Sequence, residues 1–477
     1  MVTRRQFTLG ASALAFGGLT ASYFGKVNAA SVLASTHGFG PLLPDPKKVL
    51  DLPAGFSYQV ISQLGEIMAD GFTVPDRADG MGCFPLDEER VALIRNHELH
   101  PRDLIKAEQS IKQHKSTMAY DQTDDGVALP GGTSKLVYNL KTQTLEEQFL
   151  TLVGTVRNCA GGATPWNTWL TCEESVLKAG SGVSKSHGYI FEVPATAKGL
   201  IQPKPLTAMG RFNHEAAAVD PRTGIVYLTE DRGDSLFYRF IPNQRGQLDQ
   251  GGQLQALVLN GSEVVNDSQG YDTRNWETQN MPLQEWVDAQ WINLDNPESP
   301  EDDLRARGYQ EGAALFARGE GIHWGDNELY FCCTNGGSKQ LGQIMRYQPS
   351  AFEGQPQEAE EPGRLQLFLQ SEDESLYNFG DNLTVTPYGH LLVCEDQYTD
   401  VVENHLRGVT PRGEAYDFAR LNMQTELAGA CFSPDGSVLF VNLYSPTRTL
   451  AIRGPWEILP VNINVMQRRV IAPISKQ

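Results

Sequence analysis

One pattern of polar and apolar positions recurs six times along the chain. In the copy at residues 157–175, small residues follow Cys159, Pro165 and Asn167 mark a turn, and an apolar run at 169–172 ends in two carboxylates. Apolar runs bounded by turn residues predict β-strands, so this copy predicts a strand, a turn and a second strand. The other copies span residues 79–98, 215–231, 320–335, 381–396 and 428–442.

The six hairpins predict a closed arrangement, because a single hairpin cannot bury both of its faces. Radial stacking of such units closes the sheet edges, as in a β-propeller. We therefore expect an all-β fold, a six-bladed β-propeller with helical and loop insertions. A long insertion is expected at residues 245–315, with a strand at 286–293 and a helix at 301–316. The alternative is a generic propeller whose acidic turn residues are only solvated.

The first position of each copy forms a column of metal-ligand residue types. A proline follows six residues later in five copies, at 85, 165, 221, 387 and 434, which supports the alignment. Because the start of each innermost strand faces the central channel, this column predicts a ring of ligands around the axis. Its members are Asp79, Cys159, Glu215, Glu320, Asp381 and, as the exception, Ala428.

A second set of carboxylates ends the second strand of several copies. Clustered carboxylates repel one another and share protons unless a cation compensates. Converging oxygen ligands suit Ca²⁺, whereas the Cys159 thiolate is too soft for a pure calcium site and suits iron. For any single acid, the alternative is a solvated turn residue. The set comprises Glu98, Glu173, Glu174, Glu230, Asp231, Glu395 and Asp396.

Polar side chains beside the column are candidates for binding a tetrahedral oxyanion such as phosphate. Arg318 stands two residues before Glu320, where its guanidinium is well suited to fork onto phosphate oxygens beside bound metals. Asn96 and Asn158 stand near predicted ligands and are expected to donate to the same anion. The alternative for Arg318 is a salt bridge to a neighbouring carboxylate.

Cysteine spacing argues against a zinc ribbon, because none of the seven cysteines forms a CxxC pair. Cys172, Cys332, Cys333 and Cys394 lie in apolar second strands and are expected to be buried thiols. Cys159 alone stands in the ligand column. Disulfide pairing stays open, because an exported compartment favours it.

Net charge and the N-terminus restrict the partners and the compartment. A formal charge of −19 makes nucleic acid and an anionic membrane surface unsuitable partners. Residues 3–8 match the twin-arginine pattern, and the following weakly apolar stretch completes a signal peptide at 1–29. We expect a periplasmic or secreted monomer, delivered by the twin-arginine export machinery, with residues 30–477 as a single propeller domain and no stable membrane anchor. The alternative is a short N-terminal anchor.

The motifs together resemble those of the PhoX-type alkaline phosphatases. The resemblance covers almost the whole chain after the leader and is most specific around Cys159. It rests on the twin-arginine leader, Asn-Cys-Ala-Gly-Gly-x-Thr-Pro-Trp at 158–166, Thr-Cys-Glu-Glu at 171–174, Gly-Arg-Phe-Asn-His-Glu at 210–215, Arg-x-Glu-Gly at 318–321, Asp-Asn-Leu at 381–383, Phe-Ser-Pro-Asp-Gly at 432–436 and Gly-Pro-Trp at 454–456.

This resemblance implies a propeller that holds two ferric ions and three calcium ions around a bridging oxo group. It also implies hydrolysis of small phosphomonoesters outside the cytoplasm. It places Cys159, Glu215, Glu320 and Asp381 on metals and Arg318 on phosphate, so Arg318 and Glu215 are the expected catalytic residues. A metal-bridging oxo or hydroxo group is then the expected nucleophile. The sequence departs from the family at Gly319, where proline is common.

Two other functions stay open from the sequence. One is a calcium-dependent lactonase or esterase-like propeller, and the other is a non-catalytic binding propeller with structural ions. Cys159 and Arg318 argue against the lactonase, since that chemistry needs neither residue. Iron content separates the phosphatase from both alternatives.

Overall fold

The structure, a computed structural model, describes residues 38–105, 118–259 and 270–458. The signal peptide predicted at residues 1–29 lies outside these ranges. Within them the chain forms β-strands, one α-helix and several short 3₁₀ turns. The helix, α1, spans Leu304–Gln310. The strands are β1 (Leu42–Leu43), β2 (Leu50–Pro53), β3 (Ser57–Gln63), β4 (Ala78–Pro85), β5 (Arg90–His97), β6 (Gly131–Asn139), β7 (Thr144–Thr155), β8 (Asn158–Ala163), β9 (Thr168–Glu173), β10 (Ile190–Pro194), β11 (His214–Val219), β12 (Val226–Glu230), β13 (Tyr238–Pro242), β14 (Gly252–Leu259), β15 (Trp286–Asn293), β16 (Gly319–Trp324), β17 (Leu329–Cys333), β18 (Gln343–Gln348), β19 (Gly363–Gln370), β20 (Gly380–Val385), β21 (Leu391–Glu395), β22 (His405–Val409), β23 (Ala415–Leu421), β24 (Leu427–Phe432), β25 (Leu439–Leu443) and β26 (Arg448–Arg453).

These strands form antiparallel sheets in which each repeat contributes the first two strands. Strands β4 to β7 make one sheet, and β8 to β10 make the next. A nine-stranded sheet joins the group β11 to β14 to the group β16 to β19 through the bridging strand β15. Strands β20 to β23 are extended by β2 and β1, and β24 to β26 are completed by β3.

The innermost strands form a closed ring. They are β4, β8, β11, β16, β20 and β24, and each packs against the next around the axis. The all-β propeller class is therefore confirmed, with six innermost strands that each begin one copy of the repeat. The strand predicted at 286–293 coincides with β15, whereas the predicted helix at 301–316 is shortened to α1.

The two ends of the described chain close the ring together. Strand β3, near the N-terminus, pairs antiparallel with β26 along its whole length. Strand β2 pairs with β23 of the preceding sheet. This closure satisfies edges that would otherwise be open, so the channel wall is held from both ends of the chain.

Each innermost strand carries a β-bulge at the same point. In β4 the register shifts between Ala78 and Met81, so Asp79 and Gly80 together oppose the single residue Asn96 of β5. The other five innermost strands shift at the equivalent place. A bulge re-aims the side chain that it carries and increases local twist. The predicted ligand column falls on the residue directly after the first paired position, inside the bulge.

The sixth column position is Gly429, and the alignment on Ala428 was wrong by one residue. Ala428 pairs with Asn442 at the position that Ala78 and Asn158 hold in their own strands. Gly429 has a φ of 62°, and a Cβ atom there would lie 2.4 Å from the carbonyl oxygen of Asp79. The proline spacing misplaced the column because the distance to the proline includes turn residues. Their number does not show where the β-bulge lies in the strand.

Apolar side chains fill the spaces between neighbouring sheets. Phe237 stacks on Phe331 with ring centroids 4.4 Å apart, which connects the third and fourth repeats. Near the ring closure, Phe56 meets Phe418 and Trp456 edge-on at 5.3 and 4.8 Å. This packing fixes the innermost strands, so the ligand column rests on rigid elements. Among the helices of the described ranges, none has the length and apolar character to cross a membrane.

Candidate metal centre

An inner ring of ligand atoms lies where the bulges of neighbouring innermost strands meet. Cys159 is buried, and its Sγ atom lies 3.2 Å from Oε1 of Glu215 and 3.6 Å from Oδ2 of Asp79. Oxygens of Glu215, Glu320 and Asp381 lie within 4.8 Å of one another. The structure therefore brings together the five ligand-type residues of the predicted column.

A second layer of carboxylates comes from the residues that follow the second strands. Glu98 and Glu174 lie within 4.8 Å of the Cys159 sulfur and of each other. Asp396 forms a similar group with Asp381 and with Glu426. Strands β5, β9 and β21 deliver the three predicted members of this layer, because each residue directly follows its strand.

Glu426 is a candidate ligand that the sequence reasoning did not assign. It lies in the loop just before β24, and its carboxyl hydrogen-bonds with that of Asp396. The sixth repeat places Gly429 in the ring, so Glu426 supplies an acid where the strand itself cannot. The sequence pointed to Glu426 only by its place two residues before Ala428, the one column position without a ligand-type side chain.

Burial, together with the charges of neighbouring carboxylates, raises the pKa values of acids in this cluster. Burial, followed by the Asp396 charge, raises the pKa of Asp381 to about 7. Burial raises the pKa of Glu174 to about 8, although the Arg157 charge opposes the change. Burial and then neighbouring carboxylates also raise the pKa values of Glu215 and of the Cys159 thiol well above their usual ranges. This field favours either protonation or bound cations.

Two buried oxygens support bound cations as the partners that complete the site. Oδ1 of Asp79 and Oε2 of Glu215 are buried without a hydrogen-bond partner among the described residues. An unpartnered buried oxygen is costly, and a cation satisfies it directly. The oxygen-only groups fit Ca²⁺, while the group containing the Cys159 sulfur fits a softer transition metal. The donor set therefore fits the metals that the sequence implies.

Arg318 lies at the edge of the carboxylates. Its Nε and Nη2 atoms donate to both oxygens of Asp231 at 2.6 and 2.9 Å, and Nη2 lies 3.0 Å from Oε1 of Glu320. About 22% of its side chain stays exposed. The salt bridge weighed as the alternative is thus present. Cations on the carboxylates would compete for these oxygens and leave the guanidinium free to meet an anion.

Arg157 is a second arginine at the same point of its repeat, and the sequence reasoning missed it. It stands two residues before Cys159, as Arg318 stands two residues before Glu320, and both have a positive φ, 49° and 53°. Arg157 lies 2.7 Å from Glu98 and 2.5 Å from Glu174. Alignment of the repeats could have identified Arg157, because it stands at the same position of its repeat as Arg318 and reaches the same end of the channel.

Three predicted ligands lie inside the sheets and away from the three ligand groups. Glu173 accepts hydrogen bonds from His187 Nδ1 at 2.6 Å and from the backbone of Val156 and Gly188. The other two are similarly engaged: Glu230 by Tyr238 and Arg305, and Glu395 by Arg407 and His405. Successive strand residues face opposite sides, so an acid pair divides between sheet interior and channel.

The two asparagines predicted to bind substrate act within the wall. Asn96 donates to the carbonyl oxygens of Cys159 and Ala160 at 2.9 and 2.7 Å and accepts from Trp169. Asn158 is fully buried and exchanges hydrogen bonds with the hydroxyls of Thr155 and Thr171. Neither amide is left to meet a substrate. Asn96 instead holds the bulge of β8 and so positions the Cys159 sulfur.

A cavity of about 1210 Å³ opens at the other end of the channel. Its wall starts one residue beyond the ligand ring, at positions such as Gly80 and Ala160, and reaches the turns around Pro387 and Pro434. Backbone and small side chains line much of it, with Trp324 and Arg346 near the rim. The clustered carboxyl groups and the Cys159 thiol lie at the opposite end of the channel, so we place the site there.

The neighbours Glu173 and Glu174 give a matched test of this assignment. Glu174→Gln should lower the number of bound metal ions, because an amide is a weaker ligand beside Cys159. Glu173→Gln should keep the metal content but destabilise the fold by about 3 kcal/mol, since it breaks a buried charge pair with His187. Elemental analysis and thermal unfolding of both variants measure this. Equal metal loss in both would contradict the division.

Comparisons with known proteins agree with the propeller. The family profile described as alkaline phosphatase PhoX matches residues 37–447. Among curated proteins, no sequence matches the chain. The structure of Pseudomonas fluorescens PhoX in complex with vanadate, a transition state analogue, is 18% identical, with a TM-score of 0.62, over 85% of this chain and 96% of that chain. At this identity the likeness shows the fold.

Two further solved structures are more distant. A luciferin-regenerating enzyme is 8% identical, with a TM-score of 0.40, over 84% of this chain and 96% of that chain. A gluconolactonase from Xanthomonas campestris is 10% identical, with a TM-score of 0.36, over 88% of this chain and 99% of that chain. Scores this low support no argument about the present site.

Proposed function

The chain belongs to the PhoX family of alkaline phosphatases, and from this premise we propose that its channel centre hydrolyses small phosphomonoesters with bound Ca²⁺ and Fe³⁺. The proposal rests on the convergence of nine carboxyl groups and one thiol beside the partly exposed guanidinium of Arg318. The carboxyl groups belong to Asp79, Glu98, Glu174, Glu215, Asp231, Glu320, Asp381, Asp396 and Glu426. Phosphate monoesters are dianions, and only a centre with excess positive charge would accept them here.

Ligand chemistry suggests how the ions are divided. Cys159 with Glu98 and Glu174 would hold iron, because a thiolate favours a transition metal. Glu215, Glu320 and Asp381 would hold Ca²⁺, and Asp381 would share a second calcium with Asp396 and Glu426. Glu215 lies beside the Cys159 sulfur as well as in the oxygen group, so it would contribute a carboxylate oxygen to either kind of metal.

The chain's own residues have separate tasks in the proposed reaction. Bound ions supply charge neutralisation of the phosphate and Lewis-acid activation of the attacking oxygen. Arg318 binds the outer phosphate oxygens as a planar fork and holds the ester in line. Arg157 pairs with Glu98 and Glu174 and keeps those ligands in place. In this proposal Glu215 contributes to catalysis by binding the metal ions, not by contacting the phosphate.

Export and organisation remain proposals drawn from the sequence. The twin-arginine pattern at residues 3–8 supports export as a folded, metal-loaded protein to the periplasm or medium. A phosphatase outside the cytoplasm would meet phosphomonoesters that cannot cross a membrane. We propose a monomer with one propeller domain after residue 29, without a membrane anchor. All described strands belong to sheets around one ring.

Chelation of the natively exported protein tests the proposed function. The purified protein should hydrolyse glycerol 3-phosphate, lose this activity when Ca²⁺ and iron are removed, and regain it when both are restored. Released phosphate and metal content are measured on the same sample. Lactone hydrolysis without phosphatase activity would favour the lactonase alternative. Full phosphatase activity in demonstrably metal-free protein would overturn the proposal.

Metal removal should also change how stability depends on pH. A carboxyl with a raised folded pKa stabilises the fold below its unfolded pKa, and this contribution is lost as pH rises through the folded value. Glu174 places that window between pH 4.5 and about 8. The metal-free protein should therefore unfold at a lower temperature at pH 8 than at pH 5. Added Ca²⁺ should raise the unfolding temperature most at pH 8, as calorimetry can show.

A further inference from the structure

An exposed aromatic side chain stands at the mouth of the carboxylate centre. Tyr398 lies two residues beyond the candidate ligand Asp396, and it is 64% exposed despite its large ring. Its hydroxyl accepts a hydrogen bond from Nη2 of Arg318 at 3.3 Å. The hydroxyl also hydrogen-bonds with the Asp396 carboxyl. The ring is therefore anchored at its polar end to the group proposed to bind phosphate.

The ring contacts two side chains and leaves a large surface open. The Arg318 guanidinium carbon lies 5.2 Å from the centroid of the ring. Phe379, the residue directly before β20, meets the ring edge-to-face at 5.8 Å. An aromatic ring with so much exposed surface cannot be covered on both faces. One face of Tyr398 thus remains open beside Arg318.

We propose that Tyr398, supported by Phe379, binds the leaving group of the substrate and selects phosphomonoesters whose alcohol carries a planar aromatic ring. This inference rests on the proposed function, because the phosphate must be held by Arg318. Because the Tyr398 hydroxyl lies 3.3 Å from Nη2 of Arg318, a phosphate held by that guanidinium would have its ester group beside the open ring. Aryl and nucleoside groups gain from offset stacking in such a position.

Charge at the mouth favours an uncharged leaving group. The loop that carries Tyr398 also carries Asp400 and Glu403, both exposed. Acidic side chains there repel esters whose alcohol is itself anionic. An aromatic or nucleoside alcohol adds no negative charge beyond the phosphate. The mouth therefore selects by stacking, while the metals and Arg318 bind the phosphate that all substrates share.

Variants of Tyr398 separate the ring from the hydroxyl. For Tyr398→Ala, kcat/KM should fall about fivefold to tenfold with phenyl phosphate and adenosine 5′-monophosphate, the scale for losing one stacking contact. With glycerol 3-phosphate it should fall only as far as it does in Tyr398→Phe, which also lacks the hydroxyl that contacts Arg318. Tyr398→Phe should retain the preference. Val401→Ala, at an exposed apolar residue of the same loop, is the control and should change none of the three.

Equal losses with all three esters would overturn the inference, because Tyr398 would then act only by orienting Arg318. A preference for phosphocholine over phenyl phosphate would also overturn it, since that points to a cation subsite. Calorimetric binding of phenylphosphonate and methylphosphonate to the metal-loaded protein gives a readout without turnover. The wild type should bind phenylphosphonate more tightly, and Tyr398→Ala should lose the difference.

The two proposals can fail separately. If no ester is hydrolysed by the metal-loaded wild type, the proposed function falls, and phosphonate binding still decides the role of Tyr398. If glycerol 3-phosphate is hydrolysed but phenylphosphonate has no advantage in binding, the phosphatase stands and the aromatic subsite falls.

Discussion

In the proposed iron and calcium centre, replacing Cys159 with serine should remove the colour that iron would give, most of the bound iron and most of the phosphatase activity. The thiol is buried with Glu215 and Asp79 within 3.6 Å, and burial followed by these charges raises its pKa. A thiolate can exist there only if a cation compensates, so the sulfur contributes to the site through a metal. Sulfur-to-iron charge transfer would colour the protein, and serine offers a weak, hard alcohol instead.

The loss should be larger than that from removing an outer partner of a metal ligand, which costs roughly 10- to 100-fold in metal affinity or activity. The fold should largely survive, because Asn96 still holds the bulge of β8 through backbone carbonyls. Visible absorbance, iron content and phosphate release measure the three effects on one preparation.

Cys172→Ser is the matched control for Cys159. Cys172 lies in β9 of the same hairpin, is fully buried, and packs with Leu170 and Ile190 away from the axis. Its replacement should cost stability but leave the visible band unchanged. A coloured and fully active Cys159→Ser protein would show that Cys159 is a wall residue and would remove the case for iron.

Arg318→Ala should lower kcat/KM by about two to three orders of magnitude, the scale for losing one charged transition-state donor. Inhibition by free phosphate should weaken in parallel, because the same guanidinium would bind the product. Metal content should stay near the wild-type value, since arginine donates hydrogen bonds and does not ligate cations. Steady-state kinetics and elemental analysis measure both effects.

Arg346→Ala is the control for this prediction. Arg346 also places two nitrogens on one carboxylate, that of Glu328, and 27% of its side chain is exposed. It lines the cavity at the opposite end of the channel, so kcat/KM should change little. If Arg318→Ala instead loses its metals and unfolds, the salt bridge to Asp231 is its role and the oxyanion assignment falls.

Repetition made the hairpins and the ligand column predictable. The strand β15 and the buried thiols Cys172, Cys332, Cys333 and Cys394 follow from local apolar patterns, and the structure confirms them. All seven cysteines are free thiols, which answers the question of pairing that the sequence left open. These features depend on residues close together in the chain, so the pattern itself carries the information.

Side-chain direction was harder to predict at the ends of the second strands. Both members of each acid pair had been assigned to metals, yet Glu173 binds His187 inside its sheet while Glu174 faces the channel. Burial lowers the pKa of His187, but the charge of Glu173 and the hydrogen bond with Asp121 outweigh it and raise that pKa to about 9. The partner His187 lies outside the hairpin, on the loop before β10, so the apolar pattern of the hairpin does not show which of the two acids turns into the sheet.

The sequence by itself determined that six similar hairpins exist, that they favour a propeller, and that acids and one cysteine recur where the innermost strands begin. Tertiary structure alone decided which acids converge, that Gly429 takes the sixth position, and that Glu426, Arg157 and Tyr398 reach the centre. The physical reason is that strand periodicity assigns side chains to alternating faces but leaves open which face meets the axis. The positions of the β-bulges and the paths of the loops decide which face meets the axis, and both depend on how neighbouring strands pack.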